Sequence, residues 1–225
     1  MGRGIVKADD EVYKTALFGS DYNSAKTNSY SNSWSATNND FTVNLINFNN
    51  NNNEWSLVKT GSKNSAVTGT ITTNDAIDKA VTKVVLTIDA ITASKITSIT
   101  LYTGTSSDAI STKAGTFTAS TGTQTVTLSS PTADLFYKIE VVCTKGSSNG
   151  LISISKIEYY KASGPTKLAT PVNLSATGVT QTAATLNWDD VTNALSYKVQ
   201  YKADGADDYT TVSPNPTTNS CSLQV

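Results

Sequence analysis

Side-chain polarity in this chain alternates with a period of two residues, and a sustained stripe of period 3.6 occurs nowhere in it. That property confines the chain to strands, because alternation sends apolar side chains to one face of a pleated ribbon and polar ones to the other. Phe41-Thr-Val-Asn-Leu45 alternates cleanly; Val84, Leu86 and Ile88 share a face, as do Ile99 and Leu101. Val126 and Leu128 mark a short strand after the Thr121-Gly122 turn. Phe136 to Cys143 follows, then Gly146-Ser-Ser-Asn-Gly150 as a hairpin loop, then Leu151 to Tyr160. In that last run the apolar parity moves from Ile152 and Ile154 to Ile157 and Tyr159, which predicts a β-bulge near Ser155. Strands spaced about 10–15 residues apart, with Gly, Asn and Ser between them, predict an antiparallel β-sandwich or jelly roll. The single helical candidate is Asn74 to Ala80, one capped turn at most.

Composition then removes whole classes of chemistry. Thr, Ser and Asn supply 36, 27 and 20 of the 225 residues, and histidine supplies none. Zero histidine takes away Ser-His-Asp and Cys-His triads, His-ligated zinc and imidazole acid–base catalysis together. A net charge of −1 leaves no electrostatic footprint for nucleic acid or for an anionic membrane. No apolar run approaches the roughly 18 residues of a membrane span, so no membrane insertion is expected. Met1 to Glu11 has no apolar run that would make it a signal peptide. The chain closes on Cys221-Ser-Leu-Gln-Val225, an alternating strand with no turn after it, and is read as part of a longer protein. Cys143 and Cys221 both alternate with apolar neighbours and are expected to be free, buried thiols.

Alternation fails at Lys161-Ala-Ser-Gly-Pro165-Thr-Lys-Leu-Ala-Thr-Pro171, a stretch of small residues with two prolines. The expected organisation is therefore an N-terminal segment 1–11, a jelly-roll-like β-sandwich 12–162, a linker 163–171 and a second β domain 172–225. Pro171-Val-Asn-Leu-Ser-Ala176, Thr182-Ala-Ala-Thr-Leu-Asn-Trp188 and Ser196-Tyr-Lys-Val-Gln-Tyr-Lys202 resemble the first half of a fibronectin type III domain, an immunoglobulin-like sandwich. The resemblance implies Trp188 in the core and Tyr197, Val199 and Tyr201 on the third strand, with the last two strands of the sandwich absent. Glu54-Trp55-Ser-Leu-Val-Lys59, Val81 to Ile88 and Leu151 to Tyr160 together resemble β-sandwich modules of galactose-binding type. Such modules precede fibronectin type III domains in secreted and surface proteins of gut Bacteroidetes. That likeness implies an extracellular or cell-surface location.

Sugar sites pair an aromatic face for the C–H side of a pyranose with amides and carboxylates for its hydroxyls. Trp34 and Trp55 flank the run Asn49 to Asn53, with Tyr30 and Tyr22 close in sequence. Trp34, Trp55, Asn50, Asn52 and Tyr30 are therefore the candidate ligand-binding residues, and a glycan or cell-surface polysaccharide the candidate partner. No cofactor is called for; a structural calcium is the one ion considered, at the loop carboxylates Asp21, Asp40, Asp75, Asp78 and Asp108. Glutamate occurs only at positions 11, 54, 140 and 158, too scattered for the paired carboxylates of a glycosidase. The expectation is a non-catalytic extracellular binding module, carbohydrate-binding or adhesive. Its alternatives are a spacer or adhesin stalk, a phage virion protein included, and an accessory part of a carbohydrate-active enzyme or nuclease.

Overall fold

A computed structural model of the chain describes residues 10–22, 24–30, 32–163, 168–192 and 194–224. Residues 1–9 of the expected N-terminal segment and 164–167 of the expected linker lie outside the described residues. The fold is all-β, built from several antiparallel sheets. It falls into two compact units, one of residues 10–162 and one within 163–225.

Among the described residues, eleven strands make the first unit: β1 Asp10–Leu17, β2 Ser33–Asn38, β3 Phe41–Ile46, β4 Val58–Thr60, β5 Val67–Thr73, β6 Val81–Ile91, β7 Ile96–Gly104, β8 Thr112–Thr116, β9 Gly122–Thr127, β10 Phe136–Cys143 and β11 Ile152–Ala162. They form a sheet in the order β1-β11-β6-β9, with β4 also on β11, and a second sheet in the order β2-β3-β5-β10-β7-β8. Alternation does in three dimensions what it requires in one. Inward residues line up in register across six strands as Trp34, Leu45, Ile71, Ile139, Leu101 and Gly115. Ala16, Ile157 and Leu86 form the facing row. The two faces share one buried core, in which Tyr159 of β11 meets Phe41 and Tyr137 of the other sheet edge-on, at 5.4 and 5.5 Å between ring centroids. Each Leu or Ile buried there contributes about 1.5–3 kcal/mol. Gly115 lets β8 close against β9, since a Cβ at that position would stand 2.4 Å from Val126 Cγ1.

The bulge expected near Ser155 is present. Pairing of β11 with β6 slips between Ile154 and Lys156, which leaves Ser155 unpaired and turns Ile157 and Tyr159 inward. The slip also divides the other edge of β11, where Ile152 to Ile154 pair with β4 and Lys156 onward with β1. The helical turn expected over 74–80 does not form. That segment bends instead around a bridge between Ile77 and Leu135, and Ile77 is buried in the core. Burying one apolar side chain there outweighs a single turn of helix, whose nucleation is unfavourable.

The second unit holds β12 Ser175–Thr177, β13 Ala183–Asn187, β14 Gln200–Tyr201, β15 Thr210–Thr211 and β16 Ser220–Gln224. Three strands pair in the order β12-β13-β16, and β14 pairs with β15. Its core is small: Trp188, Val191, Tyr197, Val199, Cys221 and Leu223. Trp188 and Tyr197 meet edge-on at 5.1 Å, and the Tyr197 hydroxyl donates to Asp190 at 2.7 Å while accepting from the Val191 amide at 2.9 Å. Cys143 and Cys221 are both free and buried, one in each unit.

Candidate functional site

The aromatic and amide residues singled out from the sequence do not assemble into one site. Trp34 ends the inward row of the six-stranded sheet, is 8% exposed, and donates from Nε1 to the Phe48 carbonyl at 2.9 Å. An indole held there offers no face to a sugar. Asn50 is fully buried, and its side chain is spent on the fold. Its Oδ1 accepts from the Thr27 amide at 3.0 Å, and its Nδ2 donates to the Ala25 carbonyl at 2.7 Å and to Asn53 Oδ1. Asn53 in turn donates to the Ser24 carbonyl at 2.8 Å. Asn50 and Asn53 thus form a plug that pins the 24–29 loop. Asn51, Asn52 and Asn53 take positive φ values of 51°, 57° and 69°, a conformation asparagine tolerates better than any other residue with a Cβ except aspartate. Asn52 projects to solvent. Trp55 precedes β4; it is half-buried, with the Lys59 ammonium 3.9 Å above its ring. Tyr30 is half-buried too, and burial raises its phenol pKa.

Structure assembles a different constellation at the edge where β1 meets the β2–β3 hairpin. A groove of about 440 Å³ is lined there by Tyr13, Lys14, Asp21, Tyr22, Asn39, Asp40 and Phe41, with Thr15, Leu17 and Asn38 completing its wall. Asn39 and Asp40 form the two-residue turn between the strands, and Asn39 takes a φ of 49°, as the tight turn requires. Asn38 fixes the wall by accepting from the Leu17 amide and donating to the Tyr22 carbonyl at 3.3 Å. The Lys14 ammonium stands 5.4 Å from the Tyr13 ring centroid and 6.0 Å from that of Phe41. Tyr13 donates to Asp78 Oδ1 at 2.5 Å, which raises the phenol pKa and lowers that of Asp78, itself paired with Lys79 at 2.9 Å. Chemically the groove offers the half-exposed rings of Tyr13 and Tyr22, two exposed carboxylates as acceptors and one ammonium as a donor. That inventory suits a polyhydroxylated ligand.

Sequence reasoning missed Tyr13, Asn39 and Phe41 because it gathered aromatics by nearness along the chain. The signal that finds them is the turn: Asn39-Asp40 between two alternating runs puts Phe41 at a strand end. The four glutamates are engaged elsewhere. Glu11, Glu140 and Glu158 pair with Lys161, Lys138 and Lys156, and Glu54 accepts from Asn51 Nδ2. Among the described residues, no three His, Cys, Asp or Glu side chains gather to hold a metal ion, so the aspartates considered for calcium do not form such a group. No family model, no curated protein and no solved structure matches the chain.

Proposed function

We propose that this chain is a non-catalytic recognition module of a secreted or surface protein, and that it binds a neutral glycan in the groove between Tyr13, Tyr22 and Asp40. The observation that carries this reading is the groove itself, which tyrosine rings and the Asp21 and Asp40 carboxylates line together. Opposed charges of Lys14 and the two aspartates suit an uncharged ligand better than an ionic one. The paired sheets of the first unit support the galactose-binding, jelly-roll reading. The β12-β13-β16 sheet beside the β14–β15 pair supports reading the second unit as the opening five strands of a fibronectin type III sandwich. In that reading the second unit spaces and the first unit binds.

A glycan array followed by calorimetry on the whole chain tests the proposal. Wild type should bind in the micromolar to millimolar range, about −8 to −4 kcal/mol. Tyr22→Ala and Asp40→Ala should each weaken it about fivefold or more, while Trp55→Ala leaves it unchanged. Insensitivity to both groove substitutions, or no glycan bound at all, would refute it. The spacer reading, favoured by the burial of Trp34 and Asn50, then takes its place.

A further inference from the structure

Strands of the first unit run between two sets of loops, and the loops sort their charges by sign. One end carries Lys26, Lys59, Lys63, Lys95 and Lys145; its acids are Glu54 and, near the end of β6, Asp89. Loops 39–40, 74–80, 105–111 and 128–135 at the other end carry Asp40, Asp75, Asp78, Asp108 and Asp134 with one lysine, Lys79; Lys14 and Lys113 stand on the adjoining strands.

The lysine end is a continuous surface, stitched by main-chain hydrogen bonds between loops distant in sequence. Gly146 donates to the Ser62 carbonyl at 2.9 Å, Gly150 to Gly61 at 3.0 Å, and Thr144 to Lys95 at 2.8 Å. Lys59 and Asn49 exchange two bonds of 2.9 Å, and Asn52 donates to the Thr27 carbonyl at 2.9 Å. Trp55 lies under the Lys59 ammonium, and a Cβ on Gly150 would stand 3.2 Å from both the Tyr30 hydroxyl and the Lys59 side chain. Both aromatics therefore sit among the cations. Five lysines outnumber the two acids of this end. Ion pairs among the described residues join Lys79, Lys83, Lys138, Lys156 and Lys161 to carboxylates, and none ties down a lysine of this end. Glu54 is occupied by the Asn51 amide.

We propose that this lysine end binds an acidic polysaccharide, one whose sugars bear carboxylate or sulfate groups. Five separate ammonium groups on flexible stems match a polymer that repeats single charges along its length. The exposed parts of Trp55 and Tyr30 add apolar contact for sugar rings between those charges. Nucleic acid fits less well, because base and phosphate readers rely on the arginine fork, and the only arginine of the chain is Arg3. The site is distinct from the groove near Asp40, and it does not depend on what that groove binds.

Calorimetry on the whole chain with heparin, polygalacturonate, dextran and duplex DNA decides the matter. Wild type should bind one of the two acidic glycans and not dextran at this end. The affinity should fall about tenfold or more between about 50 and 200 mM salt, as counterion release requires. Lys63→Glu with Lys145→Glu should weaken that binding at least about tenfold, and the milder Lys63→Gln with Lys145→Gln should weaken it in part. Lys79→Glu with Lys113→Glu, the same change in net charge away from this end, should leave it within about twofold. Failure to bind either acidic glycan at low salt, or equal losses in the two glutamate variants, overturns the proposal. DNA bound as tightly as the better glycan overturns it as well.

Discussion

Asn50 is a loop residue that behaves as core. Its amide supplies the buried Thr27 amide hydrogen with an acceptor, and its own donors reach Ala25 and Asn53. Asn50→Ala should therefore destabilise the chain by about 2–3 kcal/mol, because a buried donor loses its partner. Urea unfolding would measure it, with the exposed Asn52→Gly, at a φ of 57°, staying within about 0.5 kcal/mol of wild type. A loss for Asn50→Ala no larger than for Asn52→Gly would contradict this account of the loop. Here the sequence misleads in an instructive way. A run of five asparagines has the composition of a sugar site and of a solvated turn, and nothing local tells which amides point inward. Trp34 misleads likewise: its alternation with Ala36 marks a core face, yet a tryptophan between polar residues also reads as a platform.

At the scale of the element, β11 shows what the sequence does make legible. The change of parity between Ile154 and Ile157 can be read directly, and it requires one unpaired residue between them. What cannot be read is why the strand needs it. Its two halves have different neighbours, β4 on one side of the bulge and β1 on the other, and that arrangement exists only once the sheet is formed. Deleting Ser155 should turn either Ile152 and Ile154 or Ile157 and Tyr159 out of the core, a loss of several buried side chains that the domain does not survive. Ser155→Ala should stay within about 0.5 kcal/mol of wild type, since the residue is half-exposed and its role is to be counted. Circular dichroism and urea unfolding of both variants check the pair; a folded deletion variant would show that the register is not fixed by the bulge.

Across the whole molecule, the absence of histidine sets the response to pH. No side chain with an ordinary pKa titrates between pH 5 and 8, so stability should be nearly flat there. The alkaline side differs. Burial pushes the Cys143 thiol up to about 11 and the Tyr137 phenol up to about 12, and raises Tyr159 as well. Each group stays neutral in the fold at a pH where it ionises once unfolded. The stability they contribute is therefore whole below their unfolded values, near 9 and 10, and is lost as pH climbs through the folded ones. Urea midpoints should hold from pH 5 to 8 and decline above about pH 9, with Cys143→Val flattening the first part of the decline. A midpoint constant up to pH 11 would mean that these groups are not shielded in solution. Charge sorting between the two ends of the first unit is also a property of this scale, invisible in the chain because its lysines are spread from position 26 to 145. A net charge of −1 conceals it completely. Strands of about eight residues separate the ends by roughly 25 Å, so the first unit carries an electric dipole on the order of hundreds of debye. Near a negatively charged surface, that dipole turns the first unit before any contact is made. The lysine end of that unit is drawn in first, and its aspartate loops trail.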